Sequence, residues 1–97
     1  MQVGVCKVML RLPENDSLKG KRRVVRSLVD RVKGRFNVSI AEVEDQDEWH
    51  RITLGISCVS NDGQHVNEVL SNVADYVANT RGDAEFLDYE IEIIPTI

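Results

Sequence analysis

Two stretches of this 97-residue chain carry side chains whose types and spacing suit chemistry. The first is Ser17 to Phe36, SLKGKRRVVRSLVDRVKGRF, with eight of the twelve Lys and Arg residues and one acid, Asp30. The remainder of the chain sets four bases against fifteen acids, so a net charge of -4 conceals a basic segment in an acidic body. Segregated charge creates a two-ended field, which bears on partners rather than on fold. Clustered cations suit a row of phosphates, with counterion release as the driving term. The second stretch, Glu44 to His50, gathers four acids, a Trp and a His. Four acids suggest a divalent cation, but the regular spacing and turn glycine of an EF-hand loop are missing. Asp47 and His50 have the types of an acid–base pair. No nucleophile or oxyanion-hole candidate stands near them in sequence, and glycine-rich phosphate loops are absent. The expectation is a non-enzymatic protein with no catalytic residue, metal or cofactor.

The elements that must position these residues follow from periodicity. Residues 2 to 12 alternate, with Cys6, Val8, Leu10 and Leu12 on one face and Lys7, Met9 and Arg11 on the other, which predicts a strand. Pro13 to Asp16 is turn chemistry. Ser17 is a good helix cap, and Leu18, Val25, Leu28, Val29, Val32 and Phe36 fall within an arc of roughly 100°, the width of a core-facing stripe. On that wheel Lys19, Arg22, Arg23, Arg26 and Lys33 form one flank, with Arg31 and Arg35 on the other. Residues 37 to 44 read as a second strand whose phase slips between Val38/Ile40 and Ala41/Val43, the mark of a bulge. Residues 51 to 59 make a third, with Ile52, Leu54, Ile56 and Cys58 inward and Gly55 leaving room for a close neighbour on the outer face. Val66, Val69, Leu70, Val73 and Val77 mark a second helix from about residue 63, ending near Arg81 and Gly82. Leu87, Tyr89, Ile91 and Ile93 alternate with acids in a fourth strand.

This β-α-β-β-α-β order, with one apolar face per strand, predicts an α+β fold. Right-handed crossovers give a ferredoxin-like sandwich, a four-stranded antiparallel sheet in order 4-1-3-2 with two helices on one face. Residues 1 to 97 are expected to form a single domain. The open sheet face would carry Val5, Lys7, Met9, Arg11, Arg51, Thr53, Gly55 and Ser57. None is aromatic, which argues against base stacking there. No apolar run reaches the 18 or so residues of a membrane span, and the N-terminus reads as a strand instead of a leader. A cytoplasmic protein is therefore expected. Cys6 and Cys58 lack CxxC spacing and are expected to be reduced core residues.

Ser17-Leu18-Lys19-Gly20-Lys21-Arg22, then Arg35 to Val43 (RFNVSIAEV), then Asp47-Glu48-Trp49 and Leu54-Gly55, resemble the YlxP-like family of small bacterial proteins of unknown function. The resemblance implies a ferredoxin-like fold and no activity. Genes of that family often lie beside those for transcription termination, translation initiation and ribosome maturation factors, which implies work on ribosomal RNA or its assembly. The chain departs from the family at Gly20, where members often carry Glu in a capping box. The first helical turn is therefore expected to fray. His50 stands where Gln is common. Two readings follow. In one, the protein is RNA- or ribosome-associated, docking ribosomal or precursor RNA through Lys19, Arg22, Arg23, Arg26 and Lys33. In the other it is a homo-oligomeric or protein-binding module, with Met9, Arg11, Trp49 and Arg51 at the contact.

Overall fold

The computed structural model describes residues 1–80 and 82–97. Six elements follow in order: β1 (Gln2–Arg11), α1 (Leu18–Arg35), β2 (Ser39–Glu44), β3 (Arg51–Ser60), α2 (Gly63–Ala78) and β4 (Glu85–Pro95). The strands form one sheet in the order β2-β3-β1-β4, with every pairing antiparallel. Read from the other edge this is 4-1-3-2, the ferredoxin-like order. The expected end of the second helix near Arg81 lies partly outside the described residues; α2 ends at Ala78 with Asn79 as its cap.

Alternation in β1 and β3 explains the core. Cys6, Val8, Leu10, Ile52, Leu54 and Ile56 point to the helical side and are buried. They meet Leu28 and Val32 of α1 and Val66, Leu70, Val73 and Val77 of α2, in a single apolar cluster. Both helices are capped: Ser17 Oγ, as expected, accepts from the Gly20 amide at 3.0 Å, and Asp62 Oδ1 accepts from the Gln64 amide at 3.0 Å. Each satisfies an amide that the helix itself leaves without a partner.

The slip in β2 is a bulge, placed between Glu42 and Glu44 where the register with β3 shifts. It turns Val43 onto the outer face, where its Cγ1 sits 2.6 Å from the place a Cβ on Gly55 would occupy. The close neighbour expected at Gly55 is Val43.

Several inward placements need correction at the fourth strand. β4 is an edge strand, and its register with β1 shifts between Met9 and Leu10. Past that shift Phe86 pairs with Leu10 and packs on the core, while Leu87 is exposed. Tyr89 and Ile91 pair with inward Val8 and Cys6, as their alternation predicts, but at this edge Tyr89 stays exposed and Ile91 only half-buried. Cys58, near the far end of β3, is likewise only half-buried, whereas Cys6 is buried. Both thiols are free. Burial pushes the Cys6 thiol up to about 11 and raises that of Cys58 as well.

Candidate functional site

The basic flank of α1 is set by the stripe behind it. Leu28 and Val32 pin one side of the helix to the sheet, so Lys19, Arg22, Arg23, Arg26 and Lys33 are turned outward, and all five are exposed. Among the described residues, no carboxylate lies within ion-pair distance of any of them; the ion pairs present are Lys7–Glu44, Arg11–Glu85 and Lys21–Glu42. From Lys19 to Lys33 the flank runs about 21 Å, at 1.5 Å per helical residue. On the opposite flank Arg35 lies over the Tyr76 ring, 4.8 Å from its centre, and Tyr76 meets Phe36 edge-on. That arginine is committed to packing α1 on α2.

Lys21 is the residue that sequence reasoning missed. It lies in the middle of the apolar stripe and is wholly buried. Its ammonium group donates to the carbonyls of Asp45, Glu48 (2.6 Å) and Arg51 (3.0 Å), all in or beside the β2–β3 hairpin. Three protons meet three acceptors, so no donor remains for Glu42. Its Oε2 lies 3.0 Å from the nitrogen as a charge partner but makes no hydrogen bond. The hairpin is thereby tied to the first turn of the helix. The wheel held the signal: Lys21 stands seven residues before Leu28 and eleven before Val32, on the same face.

A second tie lies beside it. The Asn15 side-chain amide donates to the carbonyls of Ser17 (2.6 Å) and Trp49 (2.8 Å). Its Oδ1 occupies the space that a Cβ on Gly20 would need. Gly20 thus lacks the glutamate of a capping box but admits Asn15, and the expected fraying of the first turn is countered from outside the helix. The consequence is spatial. The Trp49 carbonyl and the Ser17 carbonyl at the helix start, two residues before Lys19, are held by one side chain. Trp49 is 46% exposed on a hairpin whose backbone is held at Asp45, Glu48, Trp49 and Arg51.

The remaining candidates are dispersed. Met9 is half-buried and Arg11 and Arg51 exposed, on the outer sheet face. Arg11 is bound to Glu85 through Nη2 at 2.8 Å. Thr53, expected to be solvated there, is buried, and its hydroxyl donates to Asp45 Oδ2 at 2.9 Å. Lys7 Nζ reaches across Gly55 to Glu44 at 2.7 Å, and that hydrogen bond raises its pKa. Glu42, Glu44 and Asp45 are therefore engaged within the chain, and among the hairpin acids only Asp47 and Glu48 keep side chains without a partner among the described residues. No hydrogen bond joins Asp47 to His50, and both are exposed. No group of three or more His, Cys, Asp or Glu residues is arranged to hold a metal among the described residues. The outer face carries a shallow groove of about 670 Å³ over Val5, Lys7, Ala41, Val43, Gly55 and Ser57.

The model of a family described as protein of unknown function, DUF503, matches residues 3–91. The chain belongs to the DUF503 family. Among similar proteins is the uncharacterized protein YlxP of Bacillus subtilis (strain 168), 39% identical over 61 residues. That alignment spans 63% of this chain and 66% of the relative. The YlxP-like resemblance seen in the sequence is thereby shown. No helix among the described residues is long and apolar enough to cross a membrane.

Proposed function

We propose that this DUF503 protein is a non-enzymatic RNA- or ribosome-associated protein of the cytoplasm, docking the basic flank of α1 on ribosomal or precursor RNA. One observation carries the reading: five cations stand exposed on one helix flank with no carboxylate partner among the described residues. Lys19 with Arg22, Lys19 with Arg23, Arg22 with Arg26 and Arg23 with Arg26 are three or four residues apart, so like charges adjoin. Each such pair costs a helix about 0.2–0.5 kcal/mol. Concentrated cations offset that cost when phosphates arrive and counterions leave. Backbone contact of this kind positions a protein without reading bases.

A second reading has its own support in the uncovered sheet face. Its groove and the exposed Val5, Val43, Val59 and Ile94 suit a homo-oligomeric or protein contact. Titration of ribosomal RNA fragments at several salt concentrations separates the two. If four cations each meet a phosphate, log affinity falls with log salt at a slope of about -3 to -4. The Arg22→Glu, Arg23→Glu, Arg26→Glu variant should lose binding while remaining folded. Equal binding by both proteins moves the site elsewhere, and no binding by either at low salt leaves the oligomer reading in front.

A further inference from the structure

We infer that Trp49 and the first turns of α1 form one composite surface for an RNA strand with an unpaired base, the indole stacking on that base while Lys19, Arg22 and Arg26 hold its phosphates. The inference rests on the RNA reading above and adds a base-binding element to it.

Three observations lead to it. Trp49 is the only tryptophan of the chain and is 46% exposed, an unusual fate for the largest side chain available to a small core. Its hairpin is not a loose tip: wholly buried Lys21 holds three of its carbonyls, and Asn15 holds a fourth, that of Trp49 itself. An aromatic side chain mounted on fixed backbone meets a partner with little ordering cost. The same Asn15 amide grips the Ser17 carbonyl, so the indole-bearing residue is joined to the helix start two residues before Lys19.

The chemistry of the partner follows from the pair. Cations at that spacing select a polyanion, and a π-face selects a planar ring. In a continuous duplex, base faces are covered by their neighbours; in single strands, loops and ends they are open. Three of the hairpin acids that would repel a phosphate are engaged within the chain, Glu42 by Lys21, Glu44 by Lys7 and Asp45 by Thr53. Glu14, Asp16, Asp47 and Glu48 also remain exposed, on the two loops that Asn15 joins. They favour the backbone lying toward the helix and only the base reaching the indole. The outer sheet face, by contrast, presents no exposed aromatic in its two central strands.

The test uses the full chain and two labelled RNA hairpins of equal stem length, one blunt and one with a single-stranded tail. Anisotropy reads affinity, and the emission of the lone tryptophan reads stacking. Binding of the tailed RNA should quench Trp49, and the blunt RNA should bind without quenching. Trp49→Ala should weaken the tailed RNA by about 5- to 150-fold and leave the blunt RNA unchanged, since a stacked base contributes that much. Trp49→Phe should retain most of the affinity. Unchanged blunt binding also certifies the fold of each variant. Tailed RNA bound with unaltered emission overturns the stacking while the helix reading stands. So does a Trp49→Ala loss that appears only in self-association. Failure of wild type to bind either RNA at low salt removes the helix reading and this inference with it.

Discussion

Lys21 and the residues around it on α1 share a helix and a charge but have opposite fates. Lys21 is sealed in, with three carbonyl acceptors and Glu42 as its counter-charge. Lys19, Arg22, Arg23, Arg26 and Lys33 stand in solvent without an acid partner among the described residues. Removing an ammonium group from water is expensive unless its protons all find acceptors. The fold supplies those acceptors from the hairpin, so that charge is spent on architecture. The outer charges have no such use inside the chain and are available to something else. A basic segment is therefore two devices: an internal fastener and an external surface.

The comparison breaks most forcefully at its inner member. Lys21→Met keeps the length and removes the charge, leaving three carbonyls without their donor and Glu42 without a counter-ion. The expected loss is about 3–5 kcal/mol, the usual penalty for removing one partner of a buried pair. Urea unfolding measures it, and the loss of fixed hairpin structure should also red-shift Trp49 emission. A second variant tests packing alone on the same side of the sheet. A Cβ on Gly4 would intrude on Val66 and come within 2.7 Å of Leu70 Cδ1, where α2 crosses β1. Gly4→Ala should cost about 1–3 kcal/mol as overpacking. A neutral result at either site would mean that the layer is looser than its burial indicates.

The outer member should behave differently. Arg22→Glu, Arg23→Glu and Arg26→Glu are exposed changes, each within about 0.5 kcal/mol of neutral. Two of the four like-charge pairs even become attractive, those with Lys19. Thermal unfolding of the triple variant should therefore lie close to wild type. A large loss would show these side chains to be structural after all and would remove the ground for assigning them to a partner.

Much of this was legible in the chain, and the illegible part has a physical reason. Alternation in β1 and β3, the stripe on α1 and the cap at Ser17 depend on local spacing, so they read directly. The phase slip before Val43 gave the bulge, and Gly55 gave its neighbour's position. The cage around Lys21 did not read, because its three acceptors are backbone carbonyls and carry no side-chain signature. In β4, adjacent Phe86 and Leu87 permit either phase, and only the register shift opposite Met9 and Leu10 selects Phe86 for the core. The tie between the Trp49 carbonyl and the start of α1 is non-local, made by one asparagine. Residues that were individually visible are tied together only through contacts that sequence spacing does not encode.

Cys6 sharpens the contrast from a third direction, as a buried ionisable group without a charge partner. Burial alone raises its thiol from 9.0 to about 11, keeping the neutral form in the core. Lys21 is buried too but is furnished with acceptors. The sign of the pH effect follows. Below about pH 9 the thiol is protonated in both folded and unfolded chains, and its contribution is fully present. Between about pH 9 and 11 the unfolded chain releases the proton while the folded one retains it, so stability declines with rising pH. Other groups titrate in that window, Cys58 with the same sign, so the informative quantity is a difference. Cys6→Ala should be less stable than wild type at pH 8, through lost packing of the buried sulfur. Its deficit should then narrow from pH 9 to 11, because the variant has no thiol at that position to ionise on unfolding. Urea midpoints at four pH values across the range give the two curves. Parallel curves would show that the thiol ionises as readily inside as out, and that burial at this place does not select the neutral form.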